Sequence, residues 1–213
     1  MKNNPTKEEI LANLRNSEAQ AAANQRFYQL IPQLYGETAH HQYTMVDPVM
    51  DSLGEELSVI EIGSWHGFSV CFFSTNQHVA KVISVEWGGD HTENLKKNIA
   101  KFAKNYRLFL GNSRDSQIKR EVEELGQVDF LFIDGCHLYT CVQADFRNYH
   151  QCVRTGGVIA FDDYGTYSQC PEVRPAIDDL YTNGEFSGYE VIGDAVTFYE
   201  TGQRSNLYFL LKK

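Results

Sequence analysis

The sequence has no long apolar run and no apolar segment near its start of the kind that directs secretion. A bilayer-spanning helix needs about 20 predominantly apolar residues, so neither secretion nor membrane insertion is predicted. Basic residues are also few, 19 Lys and Arg against 28 Asp and Glu, which gives a formal net charge of −9. Nucleic acids and anionic membranes attract positive charge, so this balance argues against both as the main partner. A small-molecule partner is favoured.

Cysteine is present in an odd number and in no recognisable pairing pattern. The five residues form neither a Cys-x-x-Cys pair nor the spacing of zinc ligands. We therefore expect free thiols and a cytoplasmic location. The chain also lacks repeats, linkers and low-complexity segments, and 213 residues suffice for one domain with a sizeable core.

From residue 57 onward, apolar strand-like runs alternate with helical patterns. Five strand–helix units mean a parallel sheet covered on both faces, because parallel strands need crossover helices. The C-terminal strands have no intervening helix, which predicts that they pair antiparallel at one edge of the sheet. The predicted strands are 57–62, 81–86, 107–110, 128–133, 157–161, 189–192, 196–199 and 207–212.

Residues 1–55 lie outside this alternation and are predicted to form an N-terminal helical cap. Thr6 opens a helix-favouring stretch at 7–34, and Pro32 predicts a break near its end. We interpret the cap as a lid or a dimer element, and 56–213 as the main domain. His40 and His41 are adjacent, which is more typical of a surface pair than of a metal site; a lid or substrate contact is the alternative.

A glycine turn joins the first strand to its helix, and it carries Glu61, Gly63 and Gly67. This spacing is neither Gly-x-Gly-x-x-Gly nor a phosphate loop, and an acid before the first glycine would repel a diphosphate. A cationic or zwitterionic cofactor with a ribose fits better. The alternative is a turn that serves packing alone.

Polar residues also follow the other strands, at the edge where open α/β sheets bind ligands. Glu86 ends its strand 23 residues after Gly63, where an acid can accept hydrogen bonds from ribose hydroxyls; a solvated acid is the alternative. Asp134, Asp162 and Asp163 follow the fourth and fifth strands.

If those two strands are neighbours, three carboxylates converge, which favours Mg²⁺ or a similar divalent ion. Consecutive strand residues face opposite ways, so Asp162 and Asp163 can share an ion only if the strand has ended. A helix cap or a solvent position is the alternative for these acids. His137 is placed to accept a substrate proton, since its ordinary pKa is about 6.5.

Together these residues resemble the class I S-adenosylmethionine-dependent methyltransferases. The segment 61–69 (EIGSWHGFS) is similar to the first motif of that family. The segments 132–139 (FIDGCHLY) and 156–164 (GGVIAFDDY), with Asp145 between them, resemble bacterial small-molecule O-methyltransferases, including those that act on macrolide sugars and other natural products. Cys136 departs from the acid usual in Asp-Gly-Asp-His members.

The resemblance implies a Rossmann-like, doubly wound sheet of seven strands whose last strand is antiparallel. It implies metal-assisted O-methylation of a small hydroxylated molecule, with Asp134, Asp162 and Asp163 as metal ligands and His137 and Asp134 as catalytic residues. The implied S-adenosylmethionine site comprises Glu61, Gly63, Trp65, Gly67, Ser69, Glu86, Trp87, Asn112, Ser113 and Asp134.

Two other functions compete with this interpretation. A nicotinamide-dependent oxidoreductase would share the sheet, but the glycine spacing is wrong and no Tyr-x-x-x-Lys pair is present. A non-catalytic cofactor-binding subunit would not need the acidic cluster. The N-terminal helices are candidates for a homodimer contact. The aromatic residues that could line an acceptor pocket are Trp65, Trp87, Tyr139, Tyr164 and Tyr167.

Overall fold

A computed structural model describes residues 1–36, 44–166, 168–198 and 204–213. Seven strands form one sheet in the order β3-β2-β1-β4-β5-β7-β6. The strands are β1 (Leu57–Ile62), β2 (Val79–Glu86), β3 (Tyr106–Leu110), β4 (Val128–Ile133), β5 (Val153–Phe161), β6 (Tyr189–Phe198) and β7 (Arg204–Lys212).

The sheet is parallel except at its last strand. Strand β7 pairs antiparallel with β5 on one side and with β6 on the other. The predicted fold class is therefore confirmed. The helices are α1 (Lys7–Leu14), α2 (Ser17–Leu30), α3 (Val46–Leu53), α4 (Phe68–Ser74), α5 (Thr92–Phe102), α6 (Ser116–Glu123), α7 (Tyr139–Tyr149) and α8 (Val173–Thr182).

Helices cover both faces of the sheet, and alternate strand residues bury into the two layers. On one face, Val59 and Phe130 pack with helices α1 to α5. On the other face, Ile60 and Leu131 pack with helices α6 to α8. The N-terminal helices thus share a hydrophobic core with the sheet.

The N-terminal stretch is two helices, where the sequence predicted one interrupted near Pro32. Thr6 caps α1 in a capping box with Glu9, as its position suggested. The chain then breaks at Arg15, and the Asn16 side chain accepts hydrogen bonds from the first turn of α2. Pro32 lies in a short 3₁₀ turn after α2. A good N-cap residue inside an apparently continuous helical pattern explains the missed break.

The tail also differs from its prediction. The segments at 189–192 and 196–199 were expected to be separate strands, yet β6 runs continuously through the first and into the second. Its pairing with β7 shifts register between Val191 and Gly193, so an irregularity in one strand was interpreted as a gap between two.

A buried carboxylate fastens the start of the chain to the amino ends of the strands. Asp129 accepts hydrogen bonds from Lys2 Nζ at 2.7 Å, Arg154 Nε at 2.6 Å and Ser58 N at 2.8 Å. Its side chain is fully shielded, so these cationic partners are what make its burial tolerable. This clamp lies at the opposite end of the sheet from the predicted site. Among the described helices, none combines the length and apolar character needed to cross a bilayer.

Candidate active site at the carboxyl ends of the strands

The sheet pairing continues one residue beyond β1, β4 and β5 and brings their loops side by side, next to the end of β2. Gly63 N donates to Val85 O at 2.9 Å, and Asp134 N donates to Ile62 O at 2.9 Å. Asp162 N donates to Ile133 O at 2.9 Å. The loops after β2, β1, β4 and β5 therefore form a continuous row. Strands β4 and β5 are neighbours, which is the condition under which the sequence predicted that the three aspartates would converge.

The glycine turn after β1 depends on backbone angles that favour glycine. Gly63 and Gly67 have φ of +87° and +85°, and a Cβ on Gly63 would collide with the carbonyl oxygen of Asp134. Beside Gly67 the corresponding space is filled by Leu95 of α5. Trp65 between them also has positive φ, +48°, which is unusual for a bulky residue. The turn is thus tightly packed against β4 and α5.

Glu86 binds the glycine turn directly. Its Oε2 accepts hydrogen bonds from Ser64 N at 2.7 Å and Trp65 N at 2.9 Å. Its Oε1 accepts from Gly88 N at 3.0 Å and lies 2.9 Å from His91 Nε2. Burial alone would raise the pKa of Glu86. The hydrogen bonds, chiefly those from Ser64 and Gly88, outweigh burial and lower this pKa. The carboxylate is therefore ionised and firmly held.

Glu61 differs from Glu86 in that its pKa is raised and not lowered. It is fully buried, and burial raises its pKa to about 8 despite hydrogen bonding from Ser69 and Ser64. Ser64 Oγ donates to Glu61 Oε2 at 2.7 Å, and Ser84 Oγ lies 3.3 Å from the same oxygen. Ser69 is itself buried. These hydroxyls form a small polar cluster beneath the turn.

His91 is a site residue that the sequence reasoning missed. Its ring stacks on Trp65 with centroids 4.5 Å apart and planes at 20°, while its Nε2 contacts Glu86. The available signal was its position five residues after Glu86 in the same loop. His91 thus links the acid to the aromatic ring above it. Trp65 and Trp87 are 58% and 68% exposed, which places their indoles at the rim of the site.

The loop after β3 carries Asn112 and Ser113, and both side chains have local partners. Asn112 Oδ1 accepts from Arg114 N at 3.0 Å. Ser113 Oγ donates to Asp145 Oδ1 at 2.6 Å, which ties this loop to α7. Burial raises the pKa of Asp145 to about 6. Asp145 belongs to the second sequence motif, but no role was assigned to it there.

The three aspartates after β4 and β5 do converge. Asp134, Asp162 and Asp163 can each offer one carboxylate oxygen such that all three oxygens lie within 4.8 Å of one another. Strand β5 ends at Phe161, and Asp163 has φ of +57°. The strand has ended before the pair, so the alternation that would have separated Asp162 from Asp163 no longer applies.

His137 lies between two of these carboxylates. Its Nε2 is 3.0 Å from Asp163 Oδ2 and 3.6 Å from Asp134 Oδ1. These two partners raise the pKa of His137 to about 10. In this arrangement the imidazole of His137 keeps its proton at neutral pH. It is therefore a cation, and not the neutral base that its ordinary pKa of about 6.5 predicted.

Asp163 has further partners that the sequence did not reveal. Thr166 Oγ1 donates to its Oδ1 at 2.8 Å, and Cys170 Sγ donates to its Oδ2 at 3.2 Å. Burial would raise the pKa of Asp163, but His137 and these hydroxyl and thiol donors lower it overall. The only hint in the sequence was a cysteine in the loop that follows the acidic pair.

The aromatic residues suggested for an acceptor pocket are not all free to line one. The hydroxyls of Tyr139 and Tyr164 donate to Asp179 at 2.6 Å and Asp178 at 2.8 Å, so α8 holds both. Tyr167, His40 and His41 lie outside the described residues.

The donor chemistry of the site suits a zwitterionic cofactor. The segments 61–67, 86–91, 111–113 and 134–137 contain four acidic residues and no Lys or Arg. A diphosphate would find no cationic partner there, whereas ammonium and sulfonium groups and ribose hydroxyls would find carboxylates. The residues present therefore fit S-adenosylmethionine.

Comparison with known proteins supports this assignment. Residues 60–164 match the family described as "Methyltransferase domain". An uncharacterised mimivirus protein, R132 of Acanthamoeba polyphaga mimivirus, is 31% identical over 190 residues, covering 84% of this chain and 86% of that protein.

Solved structures share the fold at low identity. An O-methyltransferase from Bacillus cereus in complex with SAH has a TM-score of 0.66 at 18% identity and covers 92% of both chains. The O-methyltransferase TomG from Streptomyces achromogenes, in complex with SAM, has a TM-score of 0.65 at 14% identity and covers 93% of this chain and 92% of that one.

These similarities do not favour the nicotinamide-dependent alternative. The predicted family and fold are confirmed by the matched domain, the strand order and the likeness to methyltransferases along most of the chain. Over residues 60–164 the chain belongs to the methyltransferase-domain family, and along most of its length it has the fold of the S-adenosylmethionine-dependent methyltransferases.

Proposed function

We propose that this enzyme transfers the methyl group of S-adenosylmethionine to a hydroxyl oxygen of a small molecule, assisted by a divalent cation. The observation that carries the proposal is the convergence of Asp134, Asp162 and Asp163 beside His137, in the same row of loops as Glu61 and Glu86. A cofactor-binding subunit without catalysis would have no use for this cluster.

The methyl donor would occupy the loops after β1, β2 and β3. We assign Glu86 to the ribose, the 61–69 turn to the methionine part, and Asn112 and Ser113 to the adenine. Glu86 already receives four protein hydrogen bonds, and a carboxylate has about four acceptor positions. Ribose hydroxyls would therefore share or replace some of them, with the His91 contact the easiest to exchange because it involves a side chain.

The acidic cluster fits a hard divalent cation such as Mg²⁺. Its oxygens are close enough to share one ion, and close carboxylates repel each other unless a cation joins them. His137 is the side chain seen to balance Asp134 and Asp163 together. A cation on these carboxylates would supply positive charge that lowers the pKa of an acceptor hydroxyl.

The protein's own contribution would be alignment and proton handling. Bound S-adenosylmethionine would supply an already electrophilic methyl group, so the fixed loops mainly need to hold donor and acceptor in line. His137 can accept a proton only when Asp134 and Asp163 are balanced by something other than its own imidazolium. The proposed base and the proposed cation site are therefore coupled through shared partners.

The acceptor is proposed to be a small hydroxylated molecule of the natural-product or sugar type. The net charge of −9 disfavours polyanionic acceptors such as nucleic acids or anionic membranes. Trp65 and Trp87 are exposed at the rim and could pack against a ring. We also propose that the N-terminal helices form a homodimer contact and that the protein is cytoplasmic.

Calorimetric titration of metal-stripped protein tests the proposal directly. S-adenosylmethionine should bind with micromolar affinity, and Mg²⁺ should then bind the complex. Asp162→Ala should lose the Mg²⁺ heat while keeping the donor heat. Glu124→Gln is a matched control, because it removes one exposed carboxylate just after the end of α6 and should change neither. NADH should give no heat.

The outcomes separate the parts of the proposal. Absence of donor binding would remove methyl transfer altogether. Donor binding with unchanged Mg²⁺ binding in Asp162→Ala would remove the cation site. Where both bind, hydroxylated acceptors are screened with labelled donor, and label transfer without added metal would contradict cation assistance.

A further inference from the structure

We propose that His137, Asp163 and Cys170 form a mixed nitrogen, oxygen and sulfur site for a thiophilic divalent transition-metal ion. The three residues can each offer one ligand atom, and these atoms lie within 4.8 Å of one another. This inference rests on the proposed function, because Asp163 belongs both to this group and to the three aspartates proposed to bind Mg²⁺. It differs in the kind of ion that is bound.

The geometry centres on one oxygen. Asp163 Oδ2 is 3.0 Å from His137 Nε2 and 3.2 Å from Cys170 Sγ. In a tetrahedral site with bonds of about 2.0–2.3 Å, neighbouring ligand atoms are roughly 3.3–3.8 Å apart. Small side-chain shifts would thus bring the distances from Asp163 Oδ2 to His137 Nε2 and Cys170 Sγ to those between neighbouring ligands of one tetrahedral ion. Asp163 Oδ1 accepts from Thr166, which orients the carboxylate for this use.

His137 Nε2 supplies a second observation. This nitrogen is shielded from solvent and makes no well-directed hydrogen bond among the described residues, although two carboxylates are near it. An ion bound to this nitrogen would give it the directed partner that the described side chains do not provide.

The ligand types decide which ion is favoured. Imidazole and thiolate suit zinc, cobalt or ferrous iron, whereas Mg²⁺ prefers an all-oxygen set. Three protein ligands leave a fourth position open, as in catalytic rather than structural zinc sites. Because Asp163 belongs to both sets, the acidic set and the mixed set are alternatives, and His137 would not act as a proton acceptor while its Nε2 binds the ion.

Cobalt spectroscopy tests the site without relying on turnover. Co²⁺ added to the metal-stripped full-length protein should produce a thiolate-to-cobalt charge-transfer band with one ion per chain. The band should disappear in Cys170→Ser, and the affinity for Zn²⁺ in competition should fall roughly 100-fold or more. His137→Ala should weaken binding similarly.

Cys136→Ser is the matched control, because Cys136 is an exposed cysteine in the same loop as His137. It should keep the band. Melting curves and S-adenosylmethionine titrations on each variant show whether the fold survives. If Cys170→Ser does not fold, Cys170→Ala and anomalous scattering from Zn²⁺ in crystals of the unaltered protein locate the ion directly.

Four results would overturn the inference: cobalt binding without a thiolate band, a band that persists in Cys170→Ser, displacement of the band by modest excess Mg²⁺, or Zn²⁺ located away from Cys170. Failure of the methyltransferase proposal is recognised separately, since it would show as absent S-adenosylmethionine binding whatever the cobalt spectrum. A thiolate band with no donor binding would support the site and reject the proposed function.

Discussion

The two halves of the site hold their carboxylates in different ways. Around the glycine turn, Glu86 receives hydrogen bonds from three backbone N–H groups and contacts His91, so its charge is fixed by the protein itself. After β4 and β5, by contrast, Asp134 and Asp163 share the imidazole of His137, whose charge depends on a proton.

This difference indicates which half is preformed and which is exchangeable. Backbone donors cannot leave without unfolding the turn, whereas a proton on an imidazole can be replaced by a cation among the same carboxylates. We therefore expect substitutions in the first half to act on donor affinity and substitutions in the second half to act on metal binding and turnover.

The largest expected effect is in the exchangeable half. Asp134→Ala should lower metal-dependent turnover on the order of 10²–10³-fold, because it removes a cation ligand and a partner of His137. Donor affinity measured by calorimetry should change by less than about threefold. Full turnover in this variant would contradict cation assistance, and a matching loss of donor affinity would contradict the division between the halves.

In the preformed half, Glu86→Gln should weaken S-adenosylmethionine binding about 10–100-fold. The amide would turn an N–H₂ group toward backbone donors, and hydrogen bonds to charged groups are worth about 1.5–3 kcal/mol. Mg²⁺ affinity should stay unchanged. Glu93→Gln, an exposed acid at the start of α5, is the control for loss of charge. Equal donor affinity in both variants would exclude Glu86 from the ribose site.

How far the sequence predicts this molecule depends on whether a feature is local. Strands β1 and β4 have the predicted bounds, because each is a mostly apolar, β-branched or aromatic stretch that is buried on both faces of the sheet. The alternation of strands and helices also predicts that the acids lie at one edge of the sheet, whereas their order along that edge depends on the strand order, which the structure supplies. The break before α2 was missed because a single N-cap residue, Asn16, interrupts a helical pattern. The continuity of β6 was missed because an irregularity near Gly193 interrupts its strand pattern.

The contacts that define the site are not local, and the sequence could not give them. Glu86 meets Ser64 because β1 and β2 are neighbours, and Cys170 meets Asp163 through the course of the loop after β5, which its sequence does not specify. Residue types at strand ends predicted which acids matter. Their partners, and hence their charge states, required the structure.

A third prediction concerns stability and Glu61. Its pKa is raised by burial to about 8, so between its ordinary value and that pH the folded protein binds more protons than the unfolded chain. Stability should therefore fall as the pH rises through this window, by at most about 1.4 kcal/mol per pH unit. Glu61→Gln should remove this dependence.

Denaturant unfolding of both proteins from pH 5 to pH 8 measures the difference. The wild type should lose stability relative to Glu61→Gln as the pH rises. A constant difference would mean that Glu61 is ionised in the folded state, and the contrast with Glu86 would then be withdrawn.

The smallest expected effect tests the link between the acid and the aromatic rim. His91→Ala removes the stack on Trp65 and one contact to Glu86, while the three backbone donors stay in place. Because aromatic stacking is worth about 0.5–1.5 kcal/mol, donor affinity should fall only about 2–10-fold. His78→Ala, near Asp51 at the other end of β2, should leave it unchanged. Tighter donor binding in His91→Ala would instead mean that His91 occupies a position on Glu86 that the ribose hydroxyls need. Weaker binding would show that this half of the site is preformed for the donor, and tighter binding that His91 must first move away.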